Sequence, residues 1–100
     1  MSIYLKTPIE VMQDLAHRVK SKRLELNLTQ EGAALRSGVS LGSLKRFEST
    51  GQISLESLLK LAHTVQALSD FETVFQNKNA YQSLFHQKEK IKERQRGKLK

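Results

Sequence analysis

The chain has 100 residues, of which 38% are apolar and none is cysteine, and its formal net charge is +7. These values leave room for one small core and exclude a disulfide framework or a thiolate metal site. No apolar run approaches the ~20 residues of a membrane-spanning helix, and MSIYLKTPIE at the start lacks the apolar stretch of a secretion signal.

The expectation is therefore a soluble, cytoplasmic chain with no membrane partner. Its positive charge falls in two zones. Residues 17–46 hold seven Lys/Arg against two Glu, and residues 87–100 repeat that balance. Two basic zones on one small chain point to a polyanionic partner, most often nucleic acid.

Residues 1–7 read as an N-terminal arm with Ile3, Tyr4 and Leu5 as its apolar members. Thr7-Pro8 supplies a capping hydroxyl and a proline at the first helical position. Ile9, Met12, Leu15, Ala16 and Val19 then recur at helical spacing, predicting a first helix from about Pro8 to about Leu26. Arg18, Lys20, Lys22 and Arg23 fall on its polar side, and Asn27 suits a left-handed C-terminal cap.

Thr29 caps a second helix, predicted over Gln30–Ser37. Gly38 provides the positive φ of a sharp turn, Val39 follows as an apolar plug, and Ser40 caps a third helix over about Leu41–Ser49. Leu44 and Phe47, three residues apart, are its inward side chains. Ser54 caps a fourth helix with a stripe of Leu55, Leu58, Leu59, Ala62 and Val65. Ser69-Asp70 would cap a fifth, with Phe71, Val74 and Phe75 on one face.

No strand pattern occurs, so the predicted class is all-α, a compact five-helix domain over residues 8–76. Residues 77–100 read as a basic tail. Within it Tyr81, Leu84, Phe85 and Ile91 are helically spaced, marking either a sixth helix or a segment that becomes helical on a partner.

The stretch LTQEGAALRSGVSLGSLKRFES, Leu28–Ser49, carries the functional expectation. A bihelical reader needs a short helix, a glycine turn, an apolar residue after it, and a second helix buried on one side only. The N-terminal half of that second helix then enters the major groove while the first helix anchors to phosphate. Ala33, Ala34, Gly38, Val39, Leu44 and Phe47 meet these requirements, although short helical hairpins also occur in purely structural bundles.

Residues 15–68 resemble the phage-repressor-like helix-turn-helix regulators of Cro/cI (Xre) type. The run RVKSKR at 18–23, LTQ at 28–30, GVS at 38–40 and Glu48 fall at that family's spacings. The resemblance implies that Gln30 grips phosphate and packs against the reading helix. It implies a structural ion pair between Arg23 and Glu48. It places Ser40, Leu41, Gly42, Ser43 and Arg46 towards the groove. By their chemistry Ser40, Ser43 and Lys45 can serve base edges or phosphates, Lys45 most simply as a solvated or phosphate-facing charge.

That front is unusual. Leu41 offers only apolar contact, for instance to a thymine methyl, and Gly42 admits a close backbone approach. Arg46 is the best candidate for direct readout, because a bidentate guanidinium on guanine gives ~1–3 kcal/mol of discrimination. Gly32 and Ala33 also depart from the family, which usually has a larger apolar residue at the second position. The second helix would then pack more closely, or less firmly, than in relatives.

A narrower resemblance lies in SLGSLKRFE, its continuation TGQISLESLLKLA, and DFETVF. These runs are similar to the HipB-like regulators encoded beside HipA-type serine/threonine kinase toxins. That likeness implies a repressor that binds an operator palindrome as a homodimer. It also implies a complex with the kinase, as antitoxin or co-repressor, with or without a separate small antitoxin subunit. Tyr81, Leu84 and Phe85 are then candidate partner-binding residues. A phage-type repressor with no toxin partner stays open as the alternative.

No enzymatic pattern is present. His17, His63 and His86 are isolated, without metal-ligand spacing. There is no glycine-rich phosphate loop, nucleophile elbow or paired-carboxylate motif. The expectation is a non-enzyme with no cofactor and no metal.

Overall fold

A computed structural model of the chain describes residues 5–77. It contains four α-helices, α1 (Pro8–Glu25), α2 (Gln30–Ser37), α3 (Leu41–Thr50) and α4 (Leu55–Thr64), followed by a single 3₁₀ turn, Leu68–Phe71. α1 packs on α3, α2 packs on both α3 and α4, and the 3₁₀ turn closes against α4.

Hydroxyl caps start every α-helix. The oxygens of Thr7, Thr29, Ser40 and Ser54 accept from the backbone N–H of Glu10, Gly32, Ser43 and Ser57 respectively. At α1 the Glu10 carboxylate reaches back to the Thr7 N–H at 2.8 Å, completing a capping box. Each cap satisfies a helix N–H that has no intrahelical partner, worth about 1 kcal/mol against alanine.

The ends are equally local in origin. α1 finishes in a Schellman arrangement, with the Leu28 N–H on the Arg23 carbonyl, the Asn27 N–H on that of Leu24, and Asn27 at φ +58°. α4 ends the same way through Ala67 and Gln66, the latter at φ +64°. Glycines at φ +79° and +84°, Gly38 and Gly51, end α2 and α3.

The core is centred on Leu44, Phe47 and Leu61, which are fully buried, with Ala16, Ala33 and Val39 around them. Burying side chains of this size contributes roughly 1.5–3 kcal/mol each. Ala33 and Ala34 are both buried, so α2 lies close to its neighbours through small side chains.

Three expectations change. The α4 stripe is rotated: Leu61 is core while Leu55 is two-thirds exposed. Ile9 in the first turn of α1 is likewise exposed. The fifth α-helix does not form among the described residues. Ser69 is no cap: it lies inside the 3₁₀ turn, which begins at Leu68 after Ala67 and has no side-chain cap. Phe71 is half-buried against the core, whereas Phe75 sits at φ +67° and is wholly exposed. The spacing of Phe71, Val74 and Phe75 imitates one helical face, but the chain has left the helix before it reaches Phe75.

Candidate nucleic-acid interface

α3 is the helix that the body presents. Leu44 and Phe47 hold one side of it in the core, while Ser40, Gly42, Ser43, Lys45 and Arg46 lie exposed. Leu41 is half-buried and packs against the core cluster, so much of its surface is turned away from solvent. Ser40 and Ser43 are tied to one another at 2.9 Å, Oγ to Oγ, alongside the cap bond from the Ser43 N–H at 3.1 Å. Gly42 has open space where a Cβ would stand.

The orientation of α3 is held from behind. Arg23 Nε donates to Glu48 Oε2 at 2.7 Å and Nη2 donates to Oε1 at 3.1 Å. Its remaining nitrogen, Nη1, donates to the Leu28 carbonyl at 2.7 Å. Gln30 Nε2 donates to the same Glu48 Oε1 at 3.0 Å. One carboxylate on α3 is therefore joined to α1 and to the start of α2, and Arg23 links it onward to the α1–α2 corner. No buried side-chain nitrogen or oxygen among the described residues lacks a partner. Gln30 is half-buried, and an amide nitrogen carries two hydrogens, so one donor remains after Glu48 is served.

Arg46 is exposed but not loose. Its Nε and Nη2 donate to Gln52 Oε1 at 3.1 and 2.6 Å. Residues 50–52 look like plain loop in the sequence, and no spacing rule singles out Gln52. Tyr81, Leu84 and Phe85 lie outside the described residues. Among the described residues no group of three His, Cys, Asp or Glu side chains could hold a metal ion, and no helix is long and apolar enough to cross a membrane.

The arrangement is thus a helix anchored on one face and polar on the other, with a glycine turn before it. Its sequence matches the helix-turn-helix family HTH_3 over residues 19–72, and the chain belongs to that family. The protein is a DNA-binding transcription regulator of the Xre/Cro type. No curated protein and no solved structure matches the chain significantly.

Proposed function

We propose that the protein is a sequence-specific repressor that sits on an operator palindrome as a homodimer. The observation that carries this reading is the exposure of Ser40, Gly42, Ser43, Lys45 and Arg46 along α3 while Leu44 and Phe47 bury its other side. Arg46 reads a base edge, Ser40 and Ser43 meet base edges or phosphates, and Lys45 pairs with phosphate. Leu41, half-buried, contributes a small apolar contact. Gln30 uses its second amide hydrogen on a phosphate while the first stays on Glu48.

The homodimer brings two copies of α3 to successive major grooves about 34–36 Å apart, and the palindrome mirrors its two-fold axis. With so few direct readers, phosphate contacts supply much of the affinity, and DNA shape and the pairing of subunits much of the selectivity.

The second part of the proposal concerns a protein partner. The likeness of SLGSLKRFE, TGQISLESLLKLA and DFETVF to HipB-like regulators supports a complex with a HipA-type kinase toxin in a bacterial cytoplasm. Leu68, Val74 and Phe75, exposed near the end of the described residues, add apolar surface a few residues before Tyr81, Leu84 and Phe85 in the sequence. Affinity purification of the full chain from its host tests this part. Recovery of a kinase chain that is lost on deletion of residues 77–100 is expected. Recovery of the regulator alone, or a kinase complex unaffected by the deletion, contradicts it.

A further inference from the structure

The guanidinium of Arg46 is held by a closed circuit of hydrogen bonds. Its Nε and Nη2 donate to Gln52 Oε1. The Gln52 backbone N–H donates to Thr50 Oγ1 at 3.1 Å, and that hydroxyl donates to the Arg46 carbonyl at 2.7 Å. Ser49 Oγ donates to the same carbonyl at 3.1 Å. A guanidinium has donors only, so the oxygen of Gln52 must face it and the amide nitrogen must face away.

The circuit is fixed to the rest of the fold at Gly51. That residue is buried at φ +84°, and a Cβ there would stand 2.9 Å from the carbonyl carbon of Met12 and 3.0 Å from its oxygen. The loop thus lies directly on the backbone of α1, where only glycine fits. Gly51 also donates its N–H to the Phe47 carbonyl at 2.7 Å, so the residue before Gln52 is tied to the end of α3 while it rests on α1, and the acceptor for Arg46 is placed with it.

Gln52 engages the side-on edge of the guanidinium, Nε with Nη2. The end-on pair, Nη1 with the outer hydrogen of Nη2, is left to form two parallel bonds to the O6 and N7 atoms of guanine. An unrestrained exposed arginine would lose side-chain entropy in making that contact; here much of the ordering precedes binding. The cleft of about 320 Å³ around the pair is otherwise lined by Ser43, Ile53, Ser54 and Ser57, with no carboxylate. A neutral acceptor orients the cation without cancelling its charge, which a glutamate at this position would do.

We infer that Gln52, outside the recognition helix, is a positioning residue that determines how sharply Arg46 distinguishes guanine. The inference rests on the DNA-reading function proposed above and assigns a specificity role to the loop after α3.

Selection from random-sequence duplex DNA with the full chain at fixed salt tests it, comparing wild type, Arg46→Ala, Gln52→Met and Gln52→Glu. Wild type is expected to enrich a site with one guanine-preferring position per half-site, and Arg46→Ala to flatten that position. Gln52→Met, similar in length but lacking the acceptor, should reduce preference there about three- to tenfold, a part of the roughly 5- to 150-fold that one bidentate pair gives. Other positions, the melting temperature and the salt dependence of non-specific binding should not move. Gln52→Glu restores the acceptor, so it should keep the base preference while binding all DNA more weakly. The inference is overturned if Gln52→Met selects the wild-type motif at full strength, or weakens a position different from the one Arg46→Ala weakens. A wild-type chain that enriches no sequence overturns the proposed function instead, and is told apart because no variant comparison is then needed.

Discussion

Arg23 of α1 and Glu48 of α3 meet in a two-point ion pair, 2.7 and 3.1 Å, with both side chains more than nine-tenths buried. A pair so deep is a poor source of net stability, because desolvation offsets most of the attraction, but breaking it leaves an uncompensated charge inside. Arg23→Ala or Glu48→Ala should each cost about 3–5 kcal/mol in urea unfolding. The double replacement Arg23→Met/Glu48→Leu should recover only part of that. The Leu28 carbonyl would lose its guanidinium donor and Gln30 its carboxylate acceptor, at roughly 1–3 kcal/mol per unsatisfied group. Full recovery would show that those two bonds carry no weight.

Two turn glycines differ in a measurable way. Gly38 and Gly51 share a left-handed backbone, yet a Cβ at Gly38 would meet nothing within 4 Å, whereas one at Gly51 would press on α1. Gly38→Ala should cost about 1 kcal/mol, the backbone penalty alone. Gly51→Ala should cost clearly more, because main chain must move as well. Equal melting temperatures for the two variants would contradict the close approach of the loop to Met12.

Gly42 separates stability from function. It lies in the first turn of α3 with open space around its Cα, so Gly42→Ala should stabilise the free protein by about 0.5–1 kcal/mol. If DNA comes close to α3 at this point, the same methyl should weaken operator binding. A variant that melts higher and binds operator as tightly as wild type would mean that the groove does not approach Gly42.

A pH effect follows at the other end of the chain. Lys6 hydrogen-bonds to Asp14 across the first two turns of α1 and holds the Asp14 carboxyl below the usual carboxylate range. The folded state then prefers the ionised form more strongly than the unfolded state does. The resulting stability is present in full above the ordinary carboxylate pKa of about 3.9 and is lost as pH falls through the lowered value in the fold. Asp14→Asn should remove that acid-side dependence and leave the rest of the pH profile unchanged in thermal melts.

Much of this structure is legible residue by residue. Thr7, Thr29, Ser40 and Ser54 announce helix starts because a hydroxyl can satisfy an orphan N–H only there, and each cap is a bond between neighbours in the chain. Leu44 and Phe47 announce the buried side of α3 by their spacing. What escapes is non-local or imitative. The bonding of Arg46 to Gln52 and the close approach of Gly51 to Met12 on α1 are contacts that no pattern along the chain encodes. Gln66 takes a left-handed cap without being the glycine or asparagine that would mark it. Phe71, Val74 and Phe75 carry a helical spacing, but Phe71 packs against the core from a 3₁₀ turn whereas Val74 and Phe75 are exposed.

If α3 reads DNA with Arg46 as its strongest direct contact, as proposed, removing that side chain should erase site preference and spare the fold. The decisive measurement is a footprint on the operator region, with matched non-specific DNA as control, for wild type and Arg46→Ala at equal melting temperature. Wild type should protect two half-sites about one helical turn apart, and Arg46→Ala should keep its fold and its non-specific binding while losing the preference for that site. Identical footprints from the two proteins would show that the reading surface lies elsewhere on the molecule.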